Sequence, residues 1–181
     1  MNEDAVSKMS EPQPLGPVAA FTLVDQFGAR VTAADYAGNL LLVYFGFTHC
    51  KVVCPRSLAK LSDVLAEIGP RGDPIVALYV TVDPERDTPE RMREYVEANY
   101  PRFVGLTGTR AQIDAAKSAF RVFAARRATD EGAADYDVPH TAIAYLMAPD
   151  GRYLDHFADS VEKADIVKRV VARLQDHPPA A

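Results

Sequence analysis

Cys50 and Cys54 are the only cysteines in the chain, four positions apart at the end of its most apolar run, LLLVYFGF (40–47). Two thiolates brought side by side suit a soft metal ion, or they close reversibly into a disulfide. Four histidines compete to add a nitrogen ligand. His140 stands out by position, between Pro139 and Thr141, where a long polar segment meets an apolar one. His49 adjoins Cys50 but should point the other way in an extended segment. His156 falls in a hairpin and His177 near the chain end, and both read as surface residues. Met147, in an apolar strand, reads as core rather than as a thioether ligand. Asp83 is either a carboxylate near the thiols that tunes charge or holds a loop, or a turn-forming Asp before Pro84. The bland alternatives stay open at this point: free cysteines are often buried core residues, and a lone histidine is more often surface or core than a ligand.

The elements around these residues decide where they can stand. The run 40–47, closed by Thr48 and His49, predicts a strand buried on both faces of a sheet. Beyond Cys54, Leu58, Leu61, Leu65 and Ile68 recur at helical spacing, and Gly69-Pro70 should stop that helix. The cysteines therefore fall at a strand-to-helix turn. Unpaired N–H groups at a helix start carry partial positive charge and favour thiolate. If the first turn is helical from Cys50, the two sulfurs form an i, i+4 pair on one face, and Pro55 is tolerated in the first turn.

Residues 20–32 alternate around Asp25-Gln26-Phe27-Gly28, predicting a hairpin with Gly28 left-handed. PIVALYVTVD (74–83) predicts a second buried strand, parallel to the first because a helical crossover reaches it, so Asp83 arrives at the edge that holds the cysteines. Thr88 and Pro89 open a helix to about Asn99. After a short strand, FVGL (103–106), Thr109 and Gln112 make a capping box for a helix with Ile113, Ala116, Phe120 and Phe123 on its apolar face. Residues 124–139 are a polar segment long enough to be a lid, a binding loop or disordered. A hairpin around Pro149-Asp150-Gly151 follows, and Ser160 is expected to cap a last helix bearing Ile166, Val167, Val170, Val171 and Leu174. The order after the first hairpin, βαβαβαββα, predicts an α/β sheet with an antiparallel end.

The polar, Pro-rich residues 1–17 read as a disordered leader or linker, 18–175 as one domain and 176–181 as a flexible tail. A net charge of −5 with no Lys/Arg cluster argues against nucleic acid as a partner. No apolar run approaches the ~20 residues of a spanning helix, and no signal peptide opens the chain, so it reads as soluble as it stands. Gly105 and Gly108 lack the wider pattern of a phosphate loop.

FGFTHC…CP (45–55), VDPERDTPE (82–90), GLTGTR (105–110), HT (140–141) and APDGRYLDHF (148–157) together resemble the Sco/SenC family in order and spacing, from about Phe21 to Leu174. These are thioredoxin-like copper chaperones of cytochrome oxidase assembly. The resemblance implies an α/β thioredoxin-like fold, a central mixed sheet flanked by helices, with an extra N-terminal β-hairpin. It also implies that Cys50, Cys54 and His140 are copper ligands, for Cu(I) or Cu(II), and that the dithiol cycles with a disulfide. Asp83 matches an acidic position near the site. The partner it implies is the copper-bearing subunit of a cytochrome oxidase or another thiol or copper protein, met by a monomer on the periplasmic side of a membrane. Three positions depart from the family pattern: Lys51 and Val52 replace Pro and Asp between the cysteines, and Pro139 replaces an Asp before the histidine. A Lys51 ammonium beside Cys50 would favour thiolate. The alternative function is a thiol–disulfide oxidoreductase, or a peroxide-reducing thiol protein, in which Cys50 attacks and Cys54 resolves.

Overall fold

The computed structural model describes residues 16–128 and 136–178. Most of the expected leader, 1–15, and the last residues of the expected tail, 179–181, lie outside the described residues. In chain order the elements open with β1 (Thr22–Asp25), β2 (Arg30–Thr32), β3 (Leu40–Gly46), α1 (Val53–Ile68) and β4 (Ile75–Thr81). Next come α2 (Pro89–Asn99), β5 (Phe103–Thr107), α3 (Arg110–Phe120) and the two-residue strands β6 (Arg127–Ala128) and β7 (Tyr136–Asp137). The chain closes with β8 (Ile143–Met147), β9 (Tyr153–Ala158) and α4 (Lys163–Asp176).

Seven strands form one sheet in the order β2-β1-β5-β4-β3-β8-β9, and β6 pairs with β7 apart from it. β3, β4 and β5 run parallel, as helical crossovers require, while β8 and β9 return antiparallel on one side and β1 and β2 on the other. This is the thioredoxin-like α/β architecture, with the N-terminal hairpin paired onto β5. Every residue of β3 is buried, which explains its unbroken apolar run: both faces of the sheet are covered. Leu40, Leu42 and Tyr44 face α1, α2 and α4, whereas Leu41, Val43 and Phe45 face α3. Cys54 packs on the first side, and Cys50 reaches both.

Four expectations need correction. α1 begins at Val53, so Cys54 lies in the first helical turn and Cys50 precedes the helix; the sulfurs are not an i, i+4 helical pair. The cap of α4 is Glu162 rather than Ser160, because a turn closed by Val161 N–H onto Ala158 O carries the chain past Ser160 first. α3 stops at Phe120, where Arg121 takes a left-handed conformation, so Phe123 is exposed instead of completing the apolar face. The segment 124–139 is no plain loop, since β6 and β7 pair within it; residues 129–135 lie outside the described residues.

Candidate metal centre

β3 and β4 end side by side, with Gly46 opposite Thr81 and the Val82 N–H donating to Gly46 O. The loops that leave these two ends share one sheet edge, and a buried carboxylate ties them together. Asp87, fully buried, accepts hydrogen bonds from the Thr48 N–H at 3.0 Å, Thr48 Oγ1 at 2.6 Å and Thr81 Oγ1 at 2.7 Å. Burial pushes its carboxyl up from the ordinary carboxylate value, against the pull of those bonds. Arg91 donates to Thr48 Oγ1 from the other side. The turn before the cysteines is thus fixed from its flank. Sequence reasoning weighed Asp83 for this place. The structure buries Asp83 as well but pairs it with Arg86, whose guanidinium lies 5.8 Å from the Phe47 ring centroid. The carboxylate that holds the cysteine turn is Asp87, and the sequence offered no signal for it beyond its place in a polar loop.

Both cysteines are free thiols. No side chain caps α1, and the Cys54 N–H points at Cys50 Sγ at 3.5 Å, so the sulfur stands where a capping oxygen would. Cys50 is pushed down to about 5, first by the Cys54 thiol donating to it and then by the N–H groups of residues 52–54. Cys54, fully buried, is pushed up by the same shared proton and by desolvation. The two thiols are therefore unequal, with Cys50 the more acidic, activated by the neighbouring thiol and by the helix start.

His140 comes to the cysteines on a separate piece of chain. Ala124 and His140 form a β-bridge, the Ala125 N–H donates to Pro139 O, and the Thr141 N–H donates to Phe123 O. Its Nδ1 lies 3.0 Å from the Val138 carbonyl, which can only accept, so Nδ1 carries the proton and Nε2 keeps its lone pair. Nε2 faces Cys54 Sγ at 3.5 Å, and Phe47 meets the imidazole edge-on at 5.7 Å between centroids. An ion bound at about 2.3 Å from sulfur and about 2.0 Å from nitrogen, at a near-tetrahedral angle, sets those atoms about 3.5 Å apart. The donor atoms present suit a soft ion. Among the described residues no group of three or more His, Cys, Asp or Glu side chains is placed so that it could hold a metal ion as it stands.

The other candidates fall away. His49 Nδ1 turns to Thr48 and Asp87. His156 bonds the Tyr153 hydroxyl, His177 ends α4, and Met147 is buried core. Sequence reasoning missed Gly46. A Cβ there would stand 2.7 Å from Cys54 Sγ and 2.8 Å from the Tyr79 ring, so only glycine lets α1 set its sulfur against the sheet. Tyr44 and Tyr79, partners across β3 and β4, lie under Cys54, and their buried hydroxyls complete no hydrogen bond among the described residues. Among the described residues no helix is long and apolar enough to cross a membrane.

The SCO1/SenC family model matches residues 9–175. The human mitochondrial SCO1 homolog is 41% identical over 159 residues, which are 87% of this chain and 52% of that protein, so the chain spans about half the human relative's length. Arabidopsis thaliana ScoI, solved with copper bound, superposes with a TM-score of 0.82 at 31% identity, covering 89% of this chain and 99% of that one. BsSco, a member of the Sco family of cytochrome c oxidase assembly proteins in which a disulfide switch was identified, gives a TM-score of 0.68 at 27% identity over 92% of this chain and 98% of that one. With the family model spanning almost the whole described domain, the chain belongs to the SCO1/SenC family.

Proposed function

We propose that this protein is a copper carrier: Cys50, Cys54 and His140 hold one copper ion and hand it to the copper-bearing subunit of a cytochrome oxidase. What carries the reading is His140. An imidazole 86 positions from Cys54 has its free Nε2 turned to that sulfur at 3.5 Å, with Nδ1 spent on a backbone carbonyl. Exchange between thiols and disulfides needs two sulfurs and no such nitrogen. Thiolates select Cu(I) and imidazole accepts copper in either oxidation state, so two sulfurs and a nitrogen serve both. The copper-bound Arabidopsis relative and the oxidase-assembly role of the BsSco family support the cargo and the client.

The test is anaerobic titration of the reduced protein with Cu(I) against a competing chelator, and with Cu(II), repeated on His140→Ala. Cu(I) affinity is expected to fall modestly, since two thiolates still hold the ion as a linear pair, whereas Cu(II), which prefers nitrogen and more ligands, should be lost almost entirely. A wild-type protein that takes up no copper would refute the reading.

The thiolate–thiol pair favours a second reading, a thiol–disulfide oxidoreductase. Cys50 thiolate attacks a partner disulfide and releases one partner thiolate; the buried Cys54 then attacks Cys50 Sγ, releasing the second and leaving an internal disulfide. Two electrons pass to the partner and none are left over. Should His140→Ala keep Cu(II) binding and cripple exchange with a small disulfide, the imidazole is a base for this chemistry and the second reading wins.

A further inference from the structure

Tyr79 is fully buried on β4, and its hydroxyl completes no hydrogen bond among the described residues. Stranding a hydroxyl away from water is costly, so a polar atom in that state calls for an acceptor present in only some states of the molecule. Cys54 is a candidate. Its Sγ lies 2.7 Å, and the Tyr79 Oη 2.9 Å, from the point where a Gly46 Cβ would stand, so the absent side chain leaves a gap that both atoms face. A thiol sulfur accepts hydrogen bonds weakly. A metal-bound thiolate carries negative charge and accepts strongly.

We propose that Tyr79 is a positioning residue for the loaded site: its hydroxyl donates to the Cys54 sulfur once that sulfur is a metal-bound thiolate. The inference rests on the carrier reading above. Such a bond draws electron density from the sulfur, which strengthens the loaded state relative to the empty one and raises the energy of sulfur-to-copper charge transfer. Tyr95 supplies the internal control. Its ring centroid lies 5.8 Å from that of Tyr79 in a stacked arrangement, and its hydroxyl is also buried with no completed hydrogen bond among the described residues, but it is not among the atoms nearest the Gly46 gap that Cys54 and Tyr79 face.

The experiment compares wild type, Tyr79→Phe and Tyr95→Phe, each loaded with Cu(II), with Cu(I) and, as a thiophilic probe, with Cd(II). Removal of the Tyr79 hydroxyl should move the sulfur-to-copper absorption band to longer wavelength and lower Cu(I) and Cd(II) affinity about tenfold, the lower end for outer partners of metal ligands. The metal-free variant should lose little stability to urea, because a thiol sulfur is a weak acceptor for the hydroxyl. Tyr95→Phe should leave band and affinity unchanged. An unmoved band with unchanged affinities in Tyr79→Phe overturns the proposal, as does an equal effect from Tyr95→Phe, or a loss of metal-free stability that accounts for the weaker binding. If the wild type takes Cd(II) through its cysteines but no copper, the carrier reading has failed by itself, and the Cd(II) comparison still decides the role of Tyr79.

Discussion

Cys54 and His140 face each other across 3.5 Å, yet the chain supports them in opposite ways. Cys54 sits in the first turn of a 16-residue helix whose Leu58, Leu61 and Leu65 are buried against the sheet, and Gly46, Tyr44 and Tyr79 close around its sulfur. Moving that sulfur means disturbing the core. His140 is held by a bridge to Ala124, a few main-chain bonds and the edge of Phe47. Moving the imidazole means opening a short piece of sheet at the surface, which costs far less than global unfolding. A carrier gains from this asymmetry. On the proposed carrier reading, the sulfurs would keep their grip on the ion as long as the fold lasts, while the nitrogen would let go locally and expose the ion to an incoming ligand.

The largest effect expected from breaking this arrangement is that of Cys54→Ser. A hydroxyl is a hard ligand that cannot replace thiolate for Cu(I), so affinity in a chelator competition should fall by about three orders of magnitude or more, against the modest fall for His140→Ala. Equal losses for the two variants would erase the distinction between grip and release.

Gly46→Ala tests the rigidity of the sulfur side. Its new methyl meets Cys54 Sγ and the Tyr79 ring inside contact distance, and overpacking of this kind costs roughly 1–3 kcal/mol in urea unfolding. Unchanged stability would mean that the core around Cys54 yields as readily as the arm that carries His140, the segment bridged to Ala124.

The third prediction concerns pH and the shared proton. Unfolding returns both cysteines to the ordinary thiol value of 9.0, where Cys50 sits at about 5 in the fold and Cys54 above 9. Between about pH 5 and 9 the unfolded chain therefore binds one more proton than the folded one, and stability should rise with pH across that window. Above 9 only the folded chain keeps a proton, on Cys54, and the trend reverses. Urea titrations of wild type and Cys50→Ser at pH 6 and pH 8 should show the rise only in the wild type, and parallel behaviour would remove the shared proton from the account.

The smallest effect is on the arm. Amides at 123–125 and 140–141 should exchange faster than those of β3 in the metal-free protein, and copper should slow them several-fold with little change in β3. Exchange that copper leaves untouched would separate His140 from the ion.

Most of the α/β order was legible in the sequence because its signals are local. The apolar run 40–47 is a strand covered on both faces, the capping box of Thr109 and Gln112 opens α3, and Thr88 with Pro89 opens α2. Phe123 and Ser160 misled for a related reason: helical spacing and capping chemistry continue on paper after a left-handed Arg121 or an intervening turn has already ended or delayed the helix.

By itself the sequence determined which atoms are available for the site, two thiols at a helix start and an imidazole at the end of a polar segment, since residue type and local periodicity are enough to name them. Which of the neighbours serve that site was decided by the tertiary structure alone. Asp87 rather than Asp83 holds the cysteine turn because the ends of β3 and β4 lie side by side, setting Thr48 and Thr81 around one carboxylate. Gly46 and Tyr79 matter because α1 packs its first turn onto that same sheet face, and His140 because a bridge returns the chain to Cys54 after 86 positions. Such contacts depend on distances between elements remote in the chain, and no local pattern of residues carries them.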